Sequence, residues 1–324
     1  MTTRSRDLAF ADVEAAAARV DGVAWPTPLV HSPWLSSVTG ADVWLKLEIV
    51  QRTGSYKIRG AANAAASLRQ SRPDAAAVVT ASAGNHGLAL ATAAAHFGLR
   101  ARVHLPAHAP AAKRDALARI GAELVEHPTY ERAEAGAMDD ASRSGAVYVS
   151  PYDHPDVMAG AGTVALEMLK SRPDLDALVI PLGGGGLLSG TSIVARELGA
   201  GIRVYGAEAE ASAAFTAALA AGRPVTVEVL PTLADGLAGN MDPATRTFSI
   251  VREHVHQVVT VSEAAIASAM RELAYRERLI TEGAGAIAVA ALLDRRLDVS
   301  GRRVGVVLSG RNVDRDVLER VLRT

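Results

Sequence analysis

The chain has 324 residues, with 34 basic and 35 acidic side chains, a net charge of −1 and no cysteine. That balance excludes a basic nucleic-acid footprint and an anionic-membrane binder. The missing cysteine excludes disulfides, thiolate catalysis and Cys-ligated zinc or iron–sulfur sites.

Apolar residues make up 49% and aromatic residues 4%, so the core is expected to be aliphatic and alanine-rich, in one large or two medium domains. The first seven residues, Met1-Thr-Thr-Arg-Ser-Arg-Asp7, lead into a polar–apolar helical pattern and do not read as a signal peptide. The longest apolar runs, such as 286–293, are too short to span a bilayer. A soluble cytoplasmic protein with no membrane partner is the expectation.

Residues 12–20 read as an amphipathic helix, 25–29 as a proline-fixed connection and 43–48 as a short strand. Then comes the stretch Gln51-Arg-Thr-Gly-Ser-Tyr-Lys-Ile-Arg-Gly60. Lys46, Lys57, Lys113 and Lys170 are the only lysines among the 34 basic residues. A chain that prefers arginine so strongly keeps lysine where arginine cannot serve. Attack on a carbonyl is such a task, because an amine can lose its proton and a guanidinium cannot. Thr53, Gly54 and Ser55 form a turn that places Lys57 at the start of a helix over 58–68.

From residue 75 the pattern becomes regular. Strands at 77–80, 101–105, 123–126 and 146–149 alternate with helices at 86–97, 111–120 and 131–144. The alternation continues with strands at 177–182, 203–207, 257–261 and 303–309, and helices at 161–170, 187–198, 212–221, 263–278 and 285–295. It predicts mostly parallel sheets with helices on both faces. The least regular stretch, 222–243, reads as a long functional loop.

Two turns carry ligand chemistry. Pro181-Leu-Gly-Gly-Gly-Gly-Leu-Leu-Ser-Gly190 follows an apolar strand and opens a helix. Consecutive amides and a helix start make a phosphate cradle. Its glycine spacing matches neither a dinucleotide fingerprint nor a Walker loop. Thr80-Ala-Ser-Ala-Gly-Asn-His-Gly87 also lies between a strand and a helix and suits a carboxylate or another anion. His254 and His256 have no third ligand at a useful spacing, so no metal site is expected from them.

A reactive lysine, a phosphate cradle and a carboxylate loop suggest pyridoxal phosphate acting on amino acids. The chain resembles the fold-type-II pyridoxal-phosphate enzymes of the serine/threonine dehydratase (ammonia-lyase) and serine racemase family. The matching segments run in family order over nearly the whole chain. They are Thr27-Pro-Leu29, Leu45-Lys-Leu-Glu48, Thr53 to Gly60, Ser82-Ala-Gly-Asn-His-Gly87, Gly183 to Gly186, Ala234-Asp-Gly236, Glu282-Gly-Ala-Gly-Ala286 and Ser309-Gly-Arg-Asn-Val-Asp314.

The resemblance implies an α/β fold of the tryptophan-synthase-β type, with two open, mostly parallel sheets flanked by helices. It implies a large cofactor-binding domain from residues 1–50 and 152–324, and a small domain from 51–151 that carries the carboxylate loop. It implies pyridoxal 5'-phosphate as the cofactor, an amino acid as the substrate and a homodimer. In this pattern Lys57 carries the cofactor and Tyr56 packs on its pyridine ring. Asn85 bonds the ring hydroxyl, and Gly183, Gly184, Gly185, Gly186 and Leu187 bind the phosphate. Ser309 faces the pyridine nitrogen, and Gly236 and Glu282 lie beside the ring. Ser82, Ala83, Gly84, Asn85 and His86 surround the substrate carboxylate. The implied reaction is β-elimination from a β-hydroxy-α-amino acid, with Lys57 removing the α-proton.

The chain departs from the pattern in three places. Racemases of the group carry a serine where this chain has Ala83, so elimination is favoured over racemisation. Members with a divalent cation use an acid where this chain has Ala214, which leaves Glu208 as the one carboxylate of that set, so no metal is expected. Arg311 stands where a glycine is usual. The stretch 232–240 is closer to catabolic dehydratases of less common β-hydroxy amino acids, and no regulatory domain is expected after the Ser309 motif. Two other functions stay open: a serine-type racemase and a non-catalytic binding protein that keeps the fold.

Overall fold

The computed structural model describes residues 8–199 and 201–323, so the N-terminal segment 1–7 discussed above lies outside the described residues. The helices are α1 (Phe10–Val20), α2 (Pro33–Thr39), α3 (Lys57–Ser71), α4 (Asn85–His96), α5 (Ala111–Arg119), α6 (Tyr130–Ser144), α7 (Pro155–Ser171), α8 (Gly186–Leu198), α9 (Ala214–Ala221), α10 (Arg246–His254), α11 (Glu263–Glu272), α12 (Gly283–Leu293) and α13 (Arg315–Arg323). The strands are β1 (Leu29–His31), β2 (Asp42–Leu47), β3 (Ala77–Ala81), β4 (Arg100–Pro106), β5 (Glu123–His127), β6 (Val147–Tyr148), β7 (Ala177–Pro181), β8 (Arg203–Ala209), β9 (Gln257–Val261) and β10 (Arg303–Leu308).

These strands build the two sheets expected. One has six strands in the order β1-β2-β10-β7-β8-β9; the other has four in the order β5-β4-β3-β6. Every pair is parallel except β1 with β2. The central strands β3 and β7 are buried along their whole length. Their unbroken apolar runs suit strands covered on both faces. Helix α12, apolar all round, is buried from Gly283 to Leu292 inside the larger core.

Helix α3 joins the two layers. It packs on α4 beside the four-stranded sheet and on α7 beside the six-stranded one. The α3–α7 crossing is close enough that a Cβ on Gly60 would meet the Val157 carbonyl at 2.7 Å. A buried charge network fixes the crossing. Arg59 and Lys46 are 1% exposed and Glu48 is fully buried. Arg59 forks onto both oxygens of Glu48 at 2.8 Å and onto Glu167 at 2.7 and 2.9 Å. Lys46 reaches Glu167 at 2.5 Å and the Thr27 carbonyl at 2.7 Å. Burial works against the charge on Arg59, but Glu48 and Glu167 beside it hold its pKa above the ordinary range. Burial is stronger than both carboxylates at Lys46, whose pKa is lowered. Arg59 is therefore the cation the network depends on.

Several elements differ from the expectation. β1 and α2 follow the proline-fixed connection 25–29 and were not anticipated. Helix α2 has Ser32 as its cap and Pro33 in its first turn. Helix α7 begins at Pro155, capped by His154, well before residue 161. Helices α10 and α13 were not anticipated. Among the described residues no helix is long and apolar enough to cross a membrane.

Candidate active site

The turn before Lys57 is pinned to the end of β10. Gly54 has φ +75, and a Cβ there would strike Asn312. The Asn312 amide donates to the Thr53 carbonyl at 2.8 Å, the Tyr56 amide donates to the Ser309 carbonyl at 3.0 Å, and Ser55 bridges Gly310. Lys57 is thereby fixed as the first residue of α3. Its Nζ donates to the Pro151 carbonyl at 2.7 Å.

One cavity gathers Tyr56, Lys57, Gly183–Gly186, Leu187, Gly236 and Ser309. These come from four separate stretches of the sequence. The glycine turn is shaped by its neighbours. A Cβ on Gly183 would lie 2.8 Å from Leu237 Cα, and one on Gly184 would run into the Tyr152 ring. Gly185 has φ +86 and caps α8; a Cβ on Gly186 would lie 2.7 Å from the Tyr152 carbonyl. The first-turn amides of α8 have no intrahelical partner, and Gly186 and Leu187 of that turn line the cavity. Thr247 Oγ1 donates to the Gly184 carbonyl at 2.9 Å and orients the turn. The arrangement fits a bound phosphate beside a reactive amine. Ser309, 4% exposed, donates its hydroxyl to the Ala284 carbonyl at 3.2 Å.

The second turn, 82–86, stands across from the first. Asn85 opens α4, so the amides of Asn85, His86 and Gly87 form another helix start. Asn85 donates to Glu282 Oε1 at 2.7 Å and accepts from Asn312 at 2.7 Å. The Ser82 hydroxyl accepts from the Gly84 amide at 3.3 Å. His86 is buried with Nε2 3.1 Å from the Val149 carbonyl; a carbonyl only accepts, so that nitrogen carries the proton. Burial, and then the Lys57 charge, push its pKa down to about 3. His86 therefore stays neutral and faces Val149; what it offers the turn is its backbone amide. Glu282 is pushed up to about 7, first by burial and then by Asp235.

Glu208 caps a helix. Its carboxylate accepts from the amides of Phe215 at 3.0 Å and Thr216 at 2.6 Å, the first turn of α9. Burial raises its pKa against those bonds. Among the described residues no group of three or more His, Asp or Glu side chains is placed to hold a metal ion. Arg311 is exposed, and its amide donates to the Gly54 carbonyl.

Sequence reasoning missed three participants. Tyr152 and Leu237 line the cofactor cavity, and Asn312 orients Asn85. Tyr152 stands where the chain returns to the six-stranded sheet, and only its aromatic ring in an otherwise polar stretch could have marked it.

The family described as pyridoxal-phosphate dependent enzyme matches residues 20–310. The chain belongs to that family. It is thus a pyridoxal-phosphate enzyme. It is 39% identical over 316 residues to an L-threonine ammonia-lyase of Thermotoga maritima, covering 97% of this chain and 78% of the relative. It is 39% identical over 307 residues to an L-threo-3-hydroxyaspartate ammonia-lyase of a Pseudomonas species, covering 94% of this chain and 95% of the relative. Maize serine racemase superposes with a TM-score of 0.91 at 30% identity, covering 98% of both chains.

Proposed function

We propose that this enzyme is an ammonia-lyase for a β-hydroxy-α-amino acid of the serine/threonine type, releasing a 2-oxo acid and ammonia. The observation that supports it most is the meeting of Lys57, the glycine turn and Ser309 in one cavity beside the 82–86 turn. The names of the two ammonia-lyase relatives agree with it.

When bound, pyridoxal phosphate supplies an electron-withdrawing ring that acidifies the α-proton of an amino acid attached to it. The residues around it divide the remaining work. The backbone of residues 183–187 would hold the phosphate, and Tyr56, Asn85, Gly236 and Glu282 would help hold the rest of the cofactor. The 82–86 turn would receive the substrate carboxylate and aim the α-carbon at Lys57. The Lys57 amine takes the α-proton. Ser309 would offer the ring nitrogen a hydroxyl, not a carboxylate. That suits a reaction in which negative charge leaves with the β-hydroxyl.

The likeness to maize serine racemase favours a racemase as the second function. Against it, Ala83, where racemases of the group carry a serine, has no proton to exchange. The proposal includes a homodimer, a cytoplasmic location and a small domain over 51–151 that closes on the substrate; these rest on the family resemblance. The test is a panel of β-hydroxy amino acids in both configurations, with 2-oxo acid and ammonia measured. Equal yields of the two products from at least one member are expected. Inversion of recovered substrate without 2-oxo acid would replace the lyase by the racemase.

A further inference from the structure

Asn85 sits between two partners, and together they decide which end of its amide is which. Asn312 Nδ2 is 2.8 Å from the Thr53 carbonyl. A carbonyl only accepts, so the Asn312 side chain must turn its nitrogen that way. Its oxygen lies against Gly54, where a Cβ would strike it. The same nitrogen has a second hydrogen, which it donates to Asn85 Oδ1 at 2.7 Å. Asn85 therefore turns its oxygen toward Asn312 and its nitrogen toward Glu282 Oε1, 2.7 Å away.

Glu282 is held in its turn. Its amide donates to the Gly310 carbonyl at 3.1 Å, and a Cβ on Gly310 would strike Oε1. The charged neighbours of Glu282, Asp235 and Lys113, are engaged with each other at 3.3 Å, which leaves Oε1 to Asn85. A flipped Asn85 would set N–H against N–H at Asn312 and oxygen against oxygen at Glu282. In the observed orientation one N–H of Asn85 has no partner among the described residues.

We propose that Asn312 is a positioning residue: it locks the Asn85 amide so that an N–H is left for the hydroxyl of the cofactor ring, and so holds that hydroxyl ionised. A donor at an oxygen favours its charged form over its neutral one. Asn85, Glu282 and Asn312 all lie in segments shared with the family, as fits a device that serves the cofactor and not one substrate. The device needs cofactor on Lys57 and Asn85 at the ring hydroxyl, and it does not depend on which reaction follows.

The ionised and the protonated hydroxyl give the Lys57-bound cofactor different absorption bands. These are read at one neutral pH, without substrate, after free cofactor is removed. The unaltered enzyme is expected to hold mostly the ionised form. Asn312 is exposed, so water replaces it in part, and Asn312→Ala is expected to raise the protonated-to-ionised ratio about threefold. Asn312→Ser, with one hydrogen for two acceptors, should fall between. Asn85→Ala should raise the ratio further, and adding Asn312→Ala to it should change nothing more, because Asn312 acts through Asn85. An unchanged ratio in both Asn312 variants, or in Asn85→Ala, would overturn the proposal. So would the same rise from Asn312→Ala whether or not Asn85 is present, which is the result of a purely structural role at Thr53. Failure of both Asn312 variants to hold cofactor would overturn it too, since Asn312 would then build the site and not tune it. Absent 2-oxo acid from every substrate would count against the lyase function and leave these ratios as they are.

Discussion

Two strand-to-helix turns face Lys57, one from each sheet, and they are built to opposite plans. In the β7–α8 turn each of Gly183, Gly184, Gly185 and Gly186 is crowded where a Cβ would stand, by Leu237, Tyr152, Phe215 or the Tyr152 carbonyl. In the β3–α4 turn Gly84 has nothing within 4 Å of its Cβ position, and the polar side chains of Ser82 and Asn85 remain. Both turns use the amides of a helix start to hold an anion. The first is closed around one shape, which suits a phosphate that stays bound. The second is open on one side, which suits a carboxylate that enters and leaves in every cycle.

The comparison can be broken most severely at the element that brings the turns together. Arg59→Met would strand Glu48 and leave Glu167 with Lys46 alone. We expect a loss of roughly 3–5 kcal/mol of stability, read by urea unfolding, because breaking a buried ion pair leaves an uncompensated charge. Arg59→Lys should recover only part of it, since an ammonium cannot reproduce the fork.

The open turn carries a pH signature that the closed one lacks. Glu282, behind Asn85, rises to about 7 from an ordinary 4.5. A raised carboxyl contributes its full stability below the unfolded value and loses it as pH climbs through the folded one. Between about pH 4.5 and pH 7.5 the cofactor-free protein should therefore lose on the order of 3 kcal/mol relative to Glu282→Gln. Parallel pH profiles for the two proteins would remove Glu282 from the account of the open turn.

A smaller effect separates the turns by ligand. Gly184→Ala should weaken cofactor binding about tenfold, about 1.4 kcal/mol, because the Tyr152 ring must move. Once cofactor saturates the variant, KM for the amino acid should be unchanged. Asn312→Ala acts on the other turn. It removes a donor from Asn85 Oδ1 and from the Thr53 carbonyl. A loss of about 1 kcal/mol should appear chiefly as a higher KM, measured by steady-state kinetics with cofactor in excess.

Much of this contrast was legible in the chain. Local chemistry marked the glycine run, the 82–87 turn and the exceptional Lys57, because each depends on residues adjacent in sequence. The strand–helix alternation was legible because strands such as β3, β7 and β10 are short, largely apolar runs set between helix-period segments. What could not be read is what only folding assembles. Lys113 and Asp235 are distant in sequence, as are Asn85 and Glu282, and no periodicity announces such pairs. Glu208 shows the same limit, since only the fold reveals that its partners are the amides of α9. Helix α7 was misjudged for a different reason. Its start was placed at residue 161, although Pro155 in the first helical turn is a start signal.

The most direct test of the central claim, that Lys57 between these two turns performs an elimination, is product release from cofactor-loaded enzyme with L-threonine. Lys57→Ala is run beside it, and absorbance is recorded for both. The account predicts equal amounts of ammonia and 2-oxobutyrate from the unaltered enzyme. It predicts at least a thousandfold less from Lys57→Ala, about 4 kcal/mol of barrier, together with loss of the lysine-bound cofactor band. Turnover that persists in Lys57→Ala, with the band intact, would contradict it.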